Sequence, residues 1–169
     1  MALFRRRRIS RARDGSYEIQ LPEPERALLG NLVEQLHELL SETTDDPTVR
    51  RLFPTAYNED PERDREYHQL VRDELLERRL EALATVEATL AEPHLTEEQL
   101  SGWLGAINDL RLVLGTRLDV GEELLDVDAD DPDAPAHAVY EYLGFLLSEV
   151  VDALAEGLPG PIPPGSGGI

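Results

Sequence analysis

Apolar residues recur at helical spacing over most of the chain, and the densest pattern lies at 103–118. At about 100° per residue, four large apolar residues fall on one stripe of a helix: Trp103, Ile107, Leu110 and Leu114. Further leucines and a valine widen this stripe until the helix is apolar nearly all round. Helices of this kind lie in the middle of a fold, so we expect this helix to be central and Trp103 to be buried.

Other segments with the same spacing bring the predicted total to about five helices. These segments are 22–40, 48–53, 61–92 and 135–154. A capping box formed by Thr96 and Gln99 predicts where the helix that contains Trp103 begins. The expected fold class is therefore mainly α, a compact helical domain.

An Asp-Gly pair at 14–15 predicts an N-terminal β-hairpin that precedes the helices. A two-residue type I′ turn at this pair places Arg11 opposite Glu18 and Ser10 opposite Ile19. The core face would then carry Ser10, Ala12, Tyr17, Ile19 and Leu21, and the outer face would carry Arg7, Arg11 and Arg13. A lone hairpin is marginal in water, so we expect it to pack on the helices.

The predicted organisation is a single domain over 1–158. It comprises the hairpin at 3–21 and a helical body at 22–158 that includes an acidic loop at 119–133. The segment 159–169 is rich in Gly and Pro, and we expect it to be disordered.

The charges are distributed unevenly along the chain, whose formal net charge is −19. All 16 basic residues are Arg, and six of them lie in 5–13, whereas 14–169 has a net charge of −25. Because that body repels phosphate, DNA contact is expected only through the N-terminal hairpin. The candidate residues for contact with nucleic acid or a partner are Arg5, Arg6, Arg7, Arg8, Arg11 and Arg13. The alternative is that these arginines dock on the chain's own carboxylates.

The sequence lacks the residue patterns of common catalytic, cofactor and metal sites. It contains no cysteine, which excludes thiolate nucleophiles and cysteine-ligated zinc. It has no Gly-rich phosphate loop, no G-x-S-x-G turn and no H-E-x-x-H pair. The acidic segment 126–137 lacks the Gly and Glu that an EF-hand loop requires. We therefore expect a protein that is not an enzyme and has no cofactor and no metal site.

The apolar segments are too short to predict a membrane protein. None approaches the about 20 residues that cross a bilayer, and the arginines at 5–8 are not followed by an apolar leader segment. We expect no membrane contact and a cytoplasmic location.

Two further sets of residues are candidate sites. Polar residues interrupt the apolar helix at 103–118, and these are Asn108, Asp109, Arg111 and Arg117. Buried ionic groups are costly unless paired, so the four predict either structural ion pairs, with Arg111 or Arg117 on a carboxylate, or a polar site in the core. The second set, Phe53, Pro54 and Tyr57, indicates a corner that is either packed on the core or open to a partner.

Three segments together resemble a known actinobacterial family. They are Leu-Phe-Pro-Thr-Ala-Tyr at 52–57, the run at 103–118, and Ala-Val-Tyr-Glu-Tyr-Leu-Gly at 138–144. The most specific part is Asn-Asp-Leu-Arg-Leu-Val-Leu-Gly-Thr-Arg at 108–117. The chain resembles the AosR-like family of oxidative stress regulators, which is otherwise known as a domain of unknown function.

The resemblance implies a cytosolic regulator that associates with an alternative sigma factor and promotes transcription. It also implies sensing through a pair of cysteines spaced C-x-x-x-C, and this chain has none. The first hypothesis is therefore a transcription-regulatory protein that contacts a sigma factor or RNA polymerase, without cysteine-based sensing. The alternatives are an adaptor or scaffold, for example in protein turnover, with no role at DNA, and an enzyme with its site at the polar residues of 108–117. The sequence predicts no oligomeric state.

Overall fold

The computed structural model describes residues 7–43, 46–53, 61–118 and 132–158, with backbone alone at 61–64. In chain order the elements are β1 (Ile9–Arg11), β2 (Tyr17–Ile19), α1 (Glu23–Glu42), a 3₁₀ turn (Arg50–Leu52), α2 (Pro61–Thr89), β3 (His94–Leu95), α3 (Glu97–Arg117) and α4 (Ala134–Glu156). The expected fold, mainly α with an N-terminal hairpin, is confirmed.

The prediction of about five helices is slightly wrong, because the described residues hold four α-helices and one 3₁₀ turn. The segment 48–53 forms only that turn, and Phe53 ends it in an extended conformation. Pro54 follows directly, and proline disfavours helical geometry in the residue before it. The other four predicted helices are present, with ends shifted by a few residues.

Helix α3 is the centre of the fold, as the sequence predicts. It packs against α1, α2, α4, the 3₁₀ turn and β3. The predicted capping box is present, since the Thr96 side chain accepts from the Gln99 N–H and the Gln99 side chain accepts from the Thr96 N–H. Trp103 is fully buried, and its indole Nε1 donates a hydrogen bond to Thr89 Oγ1 over 2.8 Å.

The remaining helices bury one face each against α3 and its neighbours. The buried residues of α1 are Leu29, Val33, Leu36 and Leu40, and those of α4 are Leu143, Leu146, Val150 and Ala153. In α2, Leu83 and Val86 are buried, whereas Tyr67 and Leu70 are 64% and 59% exposed. The N-terminal part of α2 thus presents apolar residues that the described part of the fold does not cover.

The hairpin has a register one residue away from the predicted one. The observed pairs are Ile9–Ile19, Ser10–Glu18 and Arg11–Tyr17. The reason is the turn, because Ala12 N–H donates to Ser16 O over 2.7 Å and the loop therefore has three residues, 13–15. Gly15 has φ +89°, and a left-handed residue at the third position is the usual way to close such a loop.

This shift exchanges the two faces of β1, as any one-residue slip does. Ile9, and not Ser10 or Ala12, is buried beside Tyr17 and Ile19. The predicted Arg11–Glu18 pair is wrong, because Arg11 lies opposite Tyr17. The third strand, β3, pairs with β2 and was not predicted, since two residues are too few to show alternation.

The hairpin turn contains a carboxylate, that of Asp14, whose hydrogen bonds predict the direction of its pKa shift. Asp14 Oδ1 accepts hydrogen bonds from the Ser16 hydroxyl (2.6 Å) and the Ser16 N–H (2.9 Å), and these hold the pKa of Asp14 below its usual value. A lowered native pKa stabilises the fold above the unfolded-state pKa, and this contribution is lost as the pH falls through the native pKa.

We therefore expect an NMR titration to give Asp14 a midpoint below that of an unstructured aspartate. Ser16→Ala removes the hydroxyl donor and should move the midpoint upwards, whereas Ser41→Ala, in α1, should leave it unchanged. An unshifted Asp14 in the wild type would show that the turn lacks these hydrogen bonds.

Several predictions lie outside the described residues. These concern 3–6 in the hairpin, 119–131 in the acidic loop, and the tail at 159–169. The proposed domain limits also stay a prediction. Among the described residues, no helix is long and apolar enough to cross a membrane.

Candidate interaction surface

The N-terminal arginines that the structure describes contact the chain's own carboxylates at two positions. Arg8 donates from Nε and Nη2 to the two carboxylate oxygens of Glu25, each over 3.0 Å. The hydroxyl of Tyr142 donates to the same carboxylate over 2.9 Å. Glu25 of α1 therefore connects Arg8, the residue before β1, with α4.

The pKa shifts in this cluster follow from its contacts. The hydrogen bonds to Glu25 raise the pKa of Arg8 above its usual value. Burial, followed by the hydrogen bond to Glu25, raises the pKa of Tyr142. Arg8 is thus a charged residue held by an ionised partner, which is the stronger class of hydrogen bond.

Arg7 docks on α4, and the other candidate arginines are placed differently. Arg7 forms an ion pair with Glu156, and its Nε lies 3.8 Å from Glu149 Oε2. Arg11 and Arg13 are exposed, and Arg5 and Arg6 lie outside the described residues. The structure therefore joins two of the six candidates to acidic side chains and leaves two facing solvent.

The polar residues of α3 do not form one site in the described structure. Asp109 is buried, and its ion-pair partner is Arg79 of α2. Arg79 Nε also donates to the Leu52 carbonyl over 3.0 Å. Burial raises the pKa of the Asp109 carboxyl, and the hydrogen bond from Arg79 opposes that rise.

The other three residues of this set point elsewhere. Asn108 and Arg117 are exposed, and the half-buried Arg111 stacks over the Tyr140 ring with Cζ 5.0 Å from the ring centroid. Asp109 and Arg111 are two residues apart and so lie about 200° apart around the helix. Among the described residues no carboxylate pairs with Arg111 or Arg117. The acidic segment 119–131 lies outside the described residues, so a carboxylate partner for one of these two arginines stays a prediction.

The aromatic corner is described only at Phe53. This side chain is 7% exposed, and the guanidinium carbons of Arg72 and Arg79 lie 5.3 and 6.0 Å from its ring centroid. Phe53 is therefore packed on the core. Pro54 and Tyr57 lie outside the described residues.

The sequence analysis did not predict an apolar cleft that lies between α1, α3 and α4. It has a volume of about 400 Å³. Its apolar lining is Leu32, Leu36, Leu39, Leu110, Val113, Leu114 and Leu143. Leu36, Leu110 and Leu143 are buried, and the other four are half-buried. The sequence offers one signal for this cleft: the apolar stripes of α1 and α3 are wider than the face that a single neighbouring helix would cover.

Polar residues surround this cleft, and they include one acidic and one basic side chain. Asp46 and Arg117 belong to the lining, together with Gln35 and Thr48. The Thr48 hydroxyl and N–H donate to Asp46 Oδ1 over 2.5 and 2.8 Å, which holds the pKa of Asp46 below its usual value.

An acidic ridge runs along the exposed side of α1, between the cleft and a groove that α1 forms with α2, and its three residues line that groove. It consists of Glu34, Glu38 and Glu42, which are four residues apart and therefore aligned on one side of the helix. Beyond the ridge, His37 Nδ1 lies 2.8 Å from Glu87 Oε1 of α2. Within the described ranges no group of three or more His, Asp or Glu side chains could hold a metal ion.

The matches with known proteins cover the elements that form this surface. The family model described as "Domain of unknown function (DUF2017)" matches residues 3–154. The chain belongs to the DUF2017 family. The matched residues include the hairpin, α1, α2, α3 and nearly all of α4, so the cleft lies within the part that defines the family.

Relatives of this DUF2017 chain have a functional name. The putative oxidative stress regulator AosR of Mycobacterium leprae (strain TN) is 30% identical over 128 residues, which are 65% of this chain and 59% of the relative. The oxidative stress regulators AosR of Mycobacterium bovis and Mycobacterium tuberculosis (strain H37Rv) are 30% identical over 124 residues, or 63% of this chain and 57% of theirs. The chain thus spans less than two thirds of these relatives. The resemblance inferred from the sequence is confirmed, and no solved structure matches the chain.

Proposed function

We propose that this chain is a non-enzymatic regulator of transcription in the response to oxidative stress. The observation that carries the proposal is the 30% identity to oxidative stress regulators over more than 120 residues. The chain acts by protein–protein contact, with a sigma factor or RNA polymerase as the partner. Such a partner places its action in the cytoplasm.

The distribution of charge supports contact with protein rather than with DNA. The segment 14–169 has a net charge of −25, which repels phosphate and attracts basic protein surfaces. Arg7 and Arg8, two of the six candidates for phosphate contact, are paired with Glu156 and Glu25. Among the N-terminal arginines that the structure describes, only Arg11 and Arg13 remain available for contact with DNA.

The regulator does not sense oxidants through its own thiols. It contains no cysteine, and its only sulfur atom belongs to Met1. Disulfide formation is the usual reversible switch of this kind, so the oxidative signal reaches this chain through a partner.

Capture from an actinobacterial lysate tests the proposal. We expect the tagged chain to retain sigma factor or RNA polymerase subunits, identified by mass spectrometry. An unrelated tagged protein of similar net charge is the control for purely electrostatic capture. Retention of protease or chaperone subunits in place of polymerase would contradict the proposal and favour a role in protein turnover.

Substitution of two arginines separates docking from DNA contact. We expect Arg8→Gln to lower the free energy of unfolding by about 1–2 kcal/mol, because it breaks two charge-assisted hydrogen bonds at a partly buried carboxylate. Arg13→Gln, in the exposed loop, is the matched control and should change it by less than about 0.5 kcal/mol.

Urea unfolding measures both values. If the arginines bind duplex DNA instead, each substitution should flatten the dependence of log K on log[salt] by about 0.9. Such flattening, with unchanged stability, would show that the arginines are a DNA contact.

A further inference from the structure

We propose that the cleft between α1, α3 and α4 binds an amphipathic helix of a partner protein, with basic residues along one side of its apolar stripe. The inference rests on the proposed function only in that the partner is a protein of the transcription machinery. The shape, apolar lining and charge of the cleft carry it.

The apolar lining fits a helix of the partner. Leu32, Leu36 and Leu39 of α1 follow one another at intervals of four and three residues, and they face Leu110 and Val113 of α3 across the cleft. Seven residues of helix span about 10 Å, or two turns. A partner helix with apolar residues at i, i+4 and i+7 presents its anchors over the same length, as in other helix-in-groove complexes.

The volume also suits a few anchoring side chains. About 400 Å³ lies within the range of sites that bury small ligands or side-chain clusters. The floor consists of buried leucines, whereas Leu32, Leu39, Val113 and Leu114 at the walls are only partly covered. Docking of apolar side chains from a partner would bury these four wall residues.

The charge selects a basic partner. Asp46 lies in the lining with a carboxylate oriented by Thr48. Glu38 and Glu42 are exposed on α1 between the cleft and the groove that α1 forms with α2, each three residues after a residue of the cleft lining. Arg117 lines the α3 side, so the basic residues of the bound helix belong over α1. A second copy of this chain is disfavoured, because two molecules of net charge −19 repel each other.

Binding of a labelled synthetic peptide tests the inference without any polymerase. The peptide is a helix with leucines at i, i+4 and i+7 and lysines beside them, and fluorescence anisotropy measures its affinity. We expect binding to be at least about tenfold weaker, or about 1.4 kcal/mol, for two controls. One control has Glu in place of Lys, and the other has the same composition with its leucines spread around the helix.

Variants of the chain locate the site. Leu39→Gln and Val113→Gln, both at half-buried walls, should weaken binding about tenfold. Leu70→Gln changes an exposed leucine of α2 outside the cleft and is the matched control, for which we expect no change. Replacing Glu38 and Glu42 by Gln should weaken binding and reduce its salt dependence.

A second measurement on the unmodified chain keeps the test independent of whether the variants fold. We expect NMR amide shifts on peptide addition to concentrate at 32–39, 110–117 and 143. Shifts centred on the groove between α1 and α2, or equal binding of the spread-leucine peptide, would overturn the inference. Dimerisation in ultracentrifugation that Leu39→Gln abolishes would also overturn it, since a second copy would then occupy the cleft.

The two proposals fail separately. If polymerase is captured from a lysate but the peptide does not bind, the inference about the cleft is wrong and the proposed function stands. If the peptide binds at the cleft but protease subunits are captured instead, the proposed function is wrong and the inference about the cleft stands.

Discussion

Replacing Trp103 by alanine is expected to lower the free energy of unfolding by about 3–5 kcal/mol, the usual range for truncating a large buried aromatic residue. The side chain is fully buried in the helix on which all the other helices pack. The substitution leaves a cavity in the core, since the surrounding structure relaxes only partly. It also removes the hydrogen-bond donor to Thr89 of α2. Urea denaturation followed by circular dichroism measures the change.

Trp103→Phe is the control that separates packing from the hydrogen bond. It retains most of the ring volume but cannot donate to Thr89 Oγ1, so we expect a smaller loss that includes about 1 kcal/mol for the hydrogen bond. If Trp103→Ala costs less than about 1 kcal/mol, α3 lies at the surface and the described core is wrong.

Replacing Asp109 by leucine is expected to cost about 3–5 kcal/mol, because it leaves Arg79 charged at a partly buried position without its partner. The Asp109 side chain is 3% exposed and that of Arg79 is 24% exposed. The partial exposure of Arg79 allows some hydration and places the expected value near the lower end of this range.

A double-mutant cycle checks that the cost comes from the pair. Arg79→Met alone leaves a buried carboxylate, whereas the double variant with Asp109→Leu removes both charges together. We expect the double variant to be more stable than the sum of the single effects predicts, with a coupling of about 0.5–3 kcal/mol. Additive effects would mean that Arg79 and Asp109 do not form a pair in solution.

Much of the fold follows from local signals in the sequence. The apolar stripe of α3 and the capping box at Thr96 predict both the position and the burial of the central helix. The predicted hairpin register is wrong because an Asp-Gly pair suits a two-residue loop as well as the three-residue loop that forms. The Asp-Gly pair alone does not distinguish these two loops.

The candidate surface was less predictable, because it depends on residues that are far apart in the chain. The sequence predicts a buried polar set at 108–117 but does not distinguish Asp109 from the other three residues. The partner of Asp109, Arg79, lies 30 residues earlier, in another helix. The cleft consists of residues at the margins of several stripes, such as Leu39 and Val113, whose proximity depends on how the helices cross. Sequence periodicity shows which side of a helix is apolar, but not which neighbour leaves part of it uncovered.

The central claim is that this DUF2017 protein regulates transcription through protein contact. The most direct test measures DNA binding by the purified chain, with and without RNA polymerase and a sigma factor. The account predicts no binding of promoter DNA by the chain alone, and retention on that DNA once the polymerase and its sigma factor are present. It also predicts that Arg13→Gln does not change this retention. Tight, sequence-specific binding by the chain alone, which persists when the N-terminal arginines are replaced by Gln, would contradict the account.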